Sequence, residues 1–552
     1  MGEVARRDFL KGAAVAGMGL VGAVSMAACA PQSAASSSTL SSTGASAADI
    51  EWDREADVVV VGGGGTGMCA AWEAANAGCS VLVLEKSEML GGNTSLSGGM
   101  IQAAGTELQK ANGVEDDVER YAEEQVALGM DLVDEEIVRD MCYQSPDMIT
   151  WLEGLGRMFD TLASVPSFKP YSNDENWARR VHQFGVGTAD YGKEHTDKIW
   201  ADCERLGCES ELNTEVVKLI CDDANGVVGV VAKEGTNTMN IKANKGVVLA
   251  AAGIDNNKEM AKELNKLQYF GLKQVEAGFG VLFEKPSNTG DGIRMGMEIG
   301  AALNLSDACV MIPALYPGGV TDYWSFENPG TTTNKYNSAQ FPGSIIVNCR
   351  GNRFMQEDGM WGMQCGRIYR EIVDTGRLLE EPGNTGIFAV TDSSYIEYWR
   401  TADKMGSASS LDEMVASGAL YRADTLEDLA AQIGVETANF TRTVSRWNDI
   451  CDAGVDYDFA RETDFGRIEN GPFYAFPINF FTTMGTAGGL KINKDCQVID
   501  VNGEVIPRLY AGGMNAGGWM GHYYHSCGWA VLGTVVLGRN AGRHVATLDS
   551  WA

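Results

Sequence analysis

Three glycines at the end of an apolar segment have the spacing that binds a dinucleotide. Gly62, Gly64 and Gly67 form a G-x-G-x-x-G motif between the apolar run that follows Asp57 and a segment of small residues. In this motif the first glycine allows a tight turn, the second lets backbone approach a pyrophosphate, and the third lets helix pack on strand. Glu85 ends the next apolar run, about 20 residues on, where a carboxylate can bind a ribose hydroxyl. The sequence therefore predicts a strand–turn–helix dinucleotide site whose helix N-terminus faces the phosphates.

The composition is that of a folded, strongly acidic protein. The chain has 552 residues, of which 45% are hydrophobic and 21% charged, and a chain this long usually holds two or three domains. A net charge of −31 argues against binding to nucleic acid or to an anionic membrane surface. The thirteen cysteines show no C-x-x-C spacing and no histidine partner at metal spacing. We therefore expect free buried thiols and no metal site.

Residues 1–30 have the pattern of an export signal. Arg6 and Arg7 precede a weakly hydrophobic stretch, as in a twin-arginine (Tat) signal peptide. Met26–Cys29 resembles a lipobox, but methionine is unusual at its first position, so lipidation of Cys29 and simple cleavage both stay open. Residues 31–50 are rich in Ser, Ala and Thr, which predicts a flexible linker. We expect an extracytoplasmic protein of the cell envelope. Beyond the signal no apolar run reaches about 18 residues, so no transmembrane span is predicted in the mature domain.

The rest of the chain predicts an α/β fold in two lobes. Residues 51–305 alternate between strand-like and helix-like segments, with a helix-rich insertion, and form the first part of the cofactor domain. In residues 306–471 this alternation is lost, which predicts an inserted α+β cap that holds the substrate. Residues 472–552 again show the α/β sequence pattern. The expected architecture is a discontinuous Rossmann-like domain with a cap inserted into it.

With these pieces in order, the chain resembles the flavoprotein family of soluble fumarate reductases, succinate dehydrogenase flavoprotein subunits and 3-ketosteroid dehydrogenases. The shared motifs are the glycine turn with Glu85, the loop Leu90–Ser95, the turn Thr289–Gly292 and the strand end Leu509–Gly513. Together they imply FAD rather than NAD. Some members attach FAD through a histidine just after the second loop glycine. Asn93 stands there, so the resemblance implies a non-covalent flavin.

The resemblance assigns one set of residues to the cofactor. These are Gly62, Gly64, Gly65, Thr66, Gly67, Glu85, Lys86, Gly91, Gly92, Asn93, Thr94, Ser95, Gly98, Gly99, Val217, Ala252, Gly253, Asp291, Gly513, Met514, Gly528, Trp529 and Val531.

The polar anchors of a dicarboxylate site are missing at the matching positions. Fumarate reductases hold their substrate with two arginines and two histidines, since a buried dianion needs fixed cations. Trp361 stands at the place of the proton-donating arginine and cannot act as an acid. Tyr524 falls close to the place of the other arginine, and neither Cys309–Leu315 nor Met484–Gly485 supplies a histidine. Fumarate is therefore not the expected substrate.

The run Gly521–Gly528 matches the substrate site of 3-ketosteroid dehydrogenases instead. Those enzymes carry Gly-His-x-Tyr, with a glycine four residues after the tyrosine, and use the tyrosine hydroxyl and the glycine N–H to bind a ketone oxygen. Tyr524 and Gly528 reproduce that spacing. Further catalytic candidates are His522, Tyr523 and His525, because imidazole can exchange protons near neutral pH. Tyr336, Trp361 and His182 are expected to line the substrate pocket. That the tyrosines are core aromatics and the histidines structural stays open.

The resulting hypothesis is an exported FAD-dependent reductase, which transfers hydride to the activated C=C bond of a bulky, neutral enone or enoate in anaerobic respiration. Its electrons would come from a membrane-associated donor such as a multihaem cytochrome, because the chain itself has no C-x-x-C-H motif. Three alternatives remain: a 3-ketosteroid-type dehydrogenase, a fumarate reductase, and a flavin electron carrier without turnover.

Overall fold

The computed structural model describes residues 50–130, 132–163, 179–183, 191–265, 269, 287–314, 343–357, 367–368, 370–371, 386–401, 410–416, 418, 420–462, 464–521, 524–525 and 527–551. The export signal with Cys29, and the site candidates Tyr336, Trp361, His522 and Tyr523, lie outside these residues.

The strands, numbered in chain order, are β1 (Arg54–Val61), β2 (Val81–Leu84), β3 (Ile101–Gln102), β4 (Thr161–Ala163), β5 (Val181–Gln183), β6 (Glu209–Glu211), β7 (Thr214–Asp222), β8 (Gly226–Glu234), β9 (Asn237–Leu249), β10 (Leu303–Ala314), β11 (Ile345–Val347), β12 (Phe388–Asp392), β13 (Tyr421–Ala423), β14 (Phe473–Pro477), β15 (Asn479–Leu490), β16 (Gln497–Ile499) and β17 (Val505–Ala511).

The helices are α1 (Gly65–Asn76), α2 (Gly92–Ser95), α3 (Glu107–Ala111), α4 (Val118–Gly129), α5 (Glu135–Gly154), α6 (Tyr191–Arg205), α7 (Lys258–Leu264), α8 (Asp291–Glu298), α9 (Ser393–Thr401), α10 (Leu411–Ala416), α11 (Leu426–Ile433), α12 (Thr437–Ala453) and α13 (Trp529–Ala546).

A mixed sheet forms the centre of the first lobe, in the order β16-β17-β9-β1-β2-β6, with β8 and β7 continuing from β9. Neighbouring strands from β17 to β6 run parallel. The hydrophobic run Val58–Val61 is buried throughout, as expected for a parallel strand covered on both faces. Helix α1 connects β1 to β2, so the predicted Rossmann-like α/β fold is confirmed.

The second lobe is built on an antiparallel sheet in the order β11-β12-β14-β13. It is joined to the first lobe by β10 and β15, which pair with each other. Strand β14 pairs with β12 and β13, so Phe473–Pro477 belongs to the second sheet. The chain therefore returns to the first lobe through β15, later than the expected boundary at residue 472. The paired residues of β12 and β13 are at least 50 positions from those of β14, so this pairing was not visible in the local pattern.

Helices α11 and α12 cover this sheet. Gly434 adopts a left-handed conformation with φ of 69° and ends α11, so the two helices are separate. None of the helices in the described ranges is long and apolar enough to cross a membrane. The ten cysteines whose side chains the structure describes are free thiols, five of them buried and five half-buried.

A buried ion network stabilises the second lobe. Arg353 Nη2 donates to Glu357 Oε2 at 2.6 Å and to Asp456 Oδ2 at 2.8 Å. Arg461 lies 3.7 Å from the same Glu357 carboxylate and donates to the Ser344 carbonyl at 2.6 Å. Both arginines stack on Trp447. Because the network is buried, removal of one charge leaves its partners uncompensated.

We expect Glu357→Gln to lower the free energy of unfolding by about 3 kcal/mol, since two buried guanidinium groups lose their shared carboxylate. Thermal unfolding followed by circular dichroism measures this. The matched control is Glu298→Gln, which removes an exposed i,i+4 partner of Arg294 and should change stability by less than about 0.5 kcal/mol. Equal effects of the two substitutions would contradict the assignment of the buried network as a stabilising element.

Candidate functional site

A cavity opens at the carboxyl ends of the parallel strands. It is lined by the residues that end or directly follow strands β1, β2, β9 and β17, namely Val61, Leu84, Ala250 and Gly512. This edge of an open α/β sheet is where ligands bind, since the strand ends leave a crevice there. The residues predicted to bind cofactor that line it are Gly62, Gly64, Gly65, Thr66, Glu85, Lys86, Gly92, Asn93, Thr94, Gly98, Gly99, Ala252, Asp291, Met514, Gly528 and Val531.

The three motif glycines have the three expected roles. Gly62 has φ of +104°, and a Cβ atom there would lie 2.4 Å from the Ala250 carbonyl oxygen. A Cβ on Gly64 would meet no protein atom closer than 4.0 Å and would project into the cavity, where a pyrophosphate must approach. A Cβ on Gly67 would lie 1.9 Å from the Gly62 carbonyl oxygen. The first and third glycines thus shape the turn, whereas the second leaves space for a ligand.

Charged and polar side chains surround the end of the cavity near β2 and α8. Glu85 accepts hydrogen bonds from the Gly63 and Ser87 N–H groups, each at 2.8 Å, which fixes its carboxylate at the cavity wall. Lys86 Nζ donates to Thr289 Oγ1 at 2.6 Å and to Asp291 Oδ2 at 2.7 Å. These contacts connect the end of β2 to the start of α8. A ribose would find both acceptors and donors here.

Asn288 is a lining residue that sequence reasoning missed. Its backbone is left-handed, with φ of 58°, and it directly precedes the Thr289–Gly292 turn. Its side-chain Nδ2 is buried at the cavity and has no hydrogen-bond partner among the described residues. Such an orphaned donor costs free energy unless a ligand satisfies it, so it fits a polar cofactor at this position.

Several predicted cofactor residues lie behind the cavity wall rather than on it, namely Gly67, Gly91, Ser95, Val217, Gly253, Gly513 and Trp529. Thr214, Glu215 and Val216 line the cavity at β7, while the Val217 carbonyl accepts a hydrogen bond from Arg294 at 3.3 Å. Trp529 is fully buried, and its Nε1 donates to the Trp519 carbonyl at 3.0 Å. These residues are therefore not part of the cavity lining, and their role toward the cofactor stays a prediction.

Tyr524 and Gly528 lie together on the cavity wall at the N-terminus of α13. The Ala530 N–H donates to Tyr524 Oη at 3.4 Å, and the backbone N–H groups of Ala530 and Gly528 partly oppose the effect of burial on the pKa of this phenol. Burial raises the pKa of Tyr524 above its ordinary value, so the phenol is neutral. The phenol oxygen thus accepts from the helix N-terminus, and the hydroxyl retains one O–H group that can act as a hydrogen-bond donor.

His525 has a structural position instead of the predicted catalytic one. It is fully buried, accepts from the Gly521 N–H at its Nε2 (3.3 Å) and bonds Gln125 Oε1 through Nδ1 (3.1 Å). Its ring stacks on Trp529 at 5.2 Å. Burial lowers the pKa of His525 to about 3. Both ring nitrogens are thus occupied, and the histidine stays neutral near pH 7.

His182, expected to line the substrate pocket, is also a core residue. Nε2 bonds Thr106 Oγ1 and Nδ1 bonds the Arg180 carbonyl, both at 2.8 Å. Burial lowers the pKa of His182 to about 4. The residue lies within the small β3-β5-β4 sheet and has no ring atom left for a substrate. Its role could not be read from the sequence, because Thr106 is 76 residues away.

Comparisons with known proteins agree with this geometry. Residues 57–531 match the model of a family described as "FAD binding domain". Digoxin reductase of Eggerthella lenta is 35% identical over 99% of this chain and 97% of its own length. The solved 3-ketosteroid-Δ4-(5α)-dehydrogenase of Rhodococcus jostii RHA1, in complex with 4-androstene-3,17-dione, aligns with a TM-score of 0.71 at 26% identity, covering 91% of this chain and 99% of that one.

A third similar structure is the open conformation of a flavocytochrome c3 fumarate reductase. It aligns with a TM-score of 0.62 at 29% identity, over 90% of this chain and 78% of the other. FAD is therefore the cofactor of this protein. The glycine turn, the fixed Glu85 carboxylate and the unsatisfied Asn288 amide are the features that fit it.

We expect Gly64→Ala to weaken FAD binding by about tenfold or more, equivalent to about 1.4 kcal/mol, because the added methyl group occupies the space of the pyrophosphate. Titration of the apoprotein with FAD, followed by flavin fluorescence, measures this. The fold should persist, since the new Cβ meets no protein atom closer than 4.0 Å. Gly67→Ala should instead lower Tm, through its 1.9 Å contact. An unchanged FAD affinity in Gly64→Ala would contradict this placement of the phosphates.

The buried histidines also predict how stability depends on pH. His525 is neutral when folded, with a pKa of about 3, but takes up a proton below about pH 6.5 when unfolded. The unfolded state therefore binds more protons between these values, and stability falls as the pH falls. We expect the Tm difference between wild type and His525→Gln to shrink from pH 7 to pH 5. A larger difference at pH 5 would show that His525 is charged in the fold.

Proposed function

Since this chain belongs to the FAD-binding domain family and, like its fumarate reductase-like and 3-ketosteroid dehydrogenase-like relatives, is an FAD-dependent oxidoreductase acting on C=C bonds, we propose that it is an exported reductase of bulky, neutral enones or enoates. When bound, FAD supplies the hydride that the double bond accepts. The work of the protein is to bind the conjugated carbonyl, orient it and stabilise the negative charge that develops on its oxygen.

Tyr524 at the N-terminus of α13 is the observation that carries this proposal. Its neutral phenol can donate to a carbonyl oxygen from the cavity wall. The helix end adds a positive partial charge beside the same point, which stabilises an enolate oxygen. Gly528 completes this positive environment with its N–H. Donors of this kind contribute about 10²- to 10³-fold to kcat in other enzymes.

The charge of the cavity wall favours a neutral substrate. Among the described residues that line it, Lys86 is the one cationic side chain, and it is paired with Asp291 at 2.7 Å. A dicarboxylate would need at least two unpaired cations to offset its desolvation. At the end of the cavity near α13, the wall carries Tyr524 and Cys527 beside Met514 and Val531, which are assigned to the cofactor, and none of these four side chains is charged. This composition supports a bulky organic carbonyl compound over fumarate.

The relatives support the same substrate class. Digoxin reductase, similar over nearly the whole chain, is named for a large neutral substrate, and one similar solved structure binds a steroid enone. The similarity to this solved dehydrogenase also favours one alternative function, that of a 3-ketosteroid-type dehydrogenase, which would run the reaction in the oxidative direction. The resemblance implies a catalytic tyrosine of the 3-ketosteroid dehydrogenases at the position of Trp361, and its replacement by tryptophan counts against this alternative.

Export and the electron donor are further parts of the proposal. The Arg6-Arg7 pair and the hydrophobic stretch after it support the twin-arginine route, with Cys29 as the candidate lipid anchor. Outside the cytoplasm NADH is not supplied, so the electrons should come from a membrane-associated donor. A multihaem cytochrome fits, and one similar solved structure is a flavocytochrome. Asn93 in the place of the attaching histidine supports a non-covalent flavin.

We expect Tyr524→Phe to lower kcat for an enone by about 100-fold with FAD affinity unchanged, since the variant loses one oxyanion donor. The assay supplies the FAD-loaded protein with reduced viologen and a panel of enones, enoates and fumarate. A parallel reaction supplies a saturated ketosteroid with an electron-accepting dye.

The pattern of activity decides between the functions. Viologen oxidation with enones alone supports the proposal, and oxidation with fumarate overturns it. Dye reduction by the ketosteroid, without viologen oxidation, assigns the dehydrogenase. Absence of turnover in every reaction assigns the protein as an electron carrier. Full turnover by Tyr524→Phe would remove the proposed role of its hydroxyl.

A further inference from the structure

We propose that Gln102 is a positioning residue that sets the direction of the Gly528 N–H and, through it, of the Tyr524 hydroxyl. This inference rests on the proposed function, because it assigns a role relative to the carbonyl-binding pair. Gln102 is buried at the end of β3, behind the cavity wall, and is not among the residues that line the cavity.

The Gln102 side chain is bonded at every position. Its Nε2 donates to the His525 carbonyl at 3.1 Å and to the Cys527 carbonyl at 2.9 Å. Its Oε1 accepts from the Tyr121 hydroxyl at 3.0 Å. The orientation of the amide is determined, since two carbonyl oxygens can only accept and must face the NH₂ group. The backbone N–H of Gln102 also donates to the Gly528 carbonyl at 3.3 Å.

The geometry of the peptide bond transmits this contact to the cavity. The Cys527 carbonyl and the Gly528 N–H belong to the same planar trans peptide group, so they point in opposite directions. With the carbonyl held by Gln102 behind the wall, the N–H points to the opposite side of the peptide group, the side on which Gly528 and Tyr524 line the cavity. Donation to the carbonyl also polarises the peptide, which strengthens the N–H as a donor.

Gly528 could otherwise take another orientation. Its φ of +86° lies in the left-handed region, where glycine moves with little restraint. A side chain at this position is excluded, because a Cβ would lie 2.9 Å from the Gln102 nitrogen. The loop before α13 therefore depends on an external contact for its direction, and Gln102 supplies the side-chain part of it.

Tyr121 and Arg180 hold Gln102 in turn. The Arg180 guanidinium lies 4.7 Å from the centre of the Tyr121 ring and is paired with Asp116 at 2.7 Å and with Glu124. The Tyr121 ring meets Trp529 edge-on at 6.2 Å. Gln102 is thus held by rigid, buried groups. Gln102 lies on β3, Tyr121 on α4 and Arg180 in the segment before β5, each far from Gly528 in sequence.

Gln102→Glu gives the most specific test. When protonated, the glutamic acid can still donate to one carbonyl and accept from Tyr121. When ionised, it opposes two carbonyl oxygens and releases the peptide. Burial should raise the pKa of this introduced carboxyl to about 6–9. We expect the kcat of Gln102→Glu to lie within about threefold of the wild-type value at pH 5.5 and to fall more than tenfold by pH 8.5. Wild type should show no such fall.

Asn448→Asp is the matched control. The Asn448 amide also donates to a backbone carbonyl, that of Ile468 at 2.9 Å, but in the second lobe and away from the cavity. This variant should lose stability as the pH rises, without a pH-dependent kcat relative to wild type. Measurements well below Tm on FAD-loaded protein separate positioning from unfolding. A kcat ratio of Gln102→Glu to wild type that stays constant with pH would overturn the proposal.

Hydrogen exchange gives an answer that does not depend on turnover. In Gln102→Leu we expect the backbone amides of residues 528–530 to exchange at least tenfold faster than in wild type, while those of α1 are unchanged. If wild type reduces no enone, the proposed function fails, and the exchange of residues 528–530 alone then decides whether Gln102 orients the loop. Unchanged exchange there would overturn the positioning role.

Discussion

The parallel packing of α1 against α13 is the contact on which the site depends. Gly538 and Gly542 let the helix backbones approach closely, because a Cβ on either would lie 2.4 Å from a carbonyl oxygen of α1, that of Thr66 or Ala70. Thr534 also packs on Gly65. By these contacts helix α13 begins about five to eight residues before α1, which places its N-terminus about 7–12 Å beyond that of α1. In the proposed function, one helix end faces the pyrophosphate and the other the reacting end of the cofactor.

This arrangement brings two positive helix ends to one cavity, at an electrostatic cost that ligands must offset. The phosphates neutralise the first end when FAD binds. The second end stays available for the charge that appears on a substrate carbonyl. Further along, Glu73 on α1 is buried and accepts from Arg539 at 2.5 Å and from Arg543 at 2.9 Å, both on α13. That ion pair fixes the register of the two helices, and hence the separation of the two helix ends.

The sequence predicts the parts of the site whose roles are local. The three motif glycines act through their own backbone and nearest neighbours, so spacing alone identifies them. His525 and His182 could not be assigned in this way, because their partners come from distant segments. The Gln125 side chain that fixes His525 is 400 residues away. The same holds for Gln102, whose carbonyl partner Cys527 is 425 residues away, and for β14, whose place in the second sheet depends on strands outside its own neighbourhood.

Local chemistry and long-range packing therefore divide the site into two kinds of residue. Those that contact the cofactor are set by backbone geometry, which leaves little freedom for substitution. The carbonyl-binding end is different, because a neutral tyrosine at a helix terminus can stabilise charge only if the loop before the helix is held in one orientation. Because Lys86, the one cation of the described wall, is paired with Asp291, that orientation must be supplied by neutral hydrogen bonds. A buried amide suits this purpose, since it holds two carbonyl oxygens and adds no charge that would compete with the substrate oxygen for the helix end.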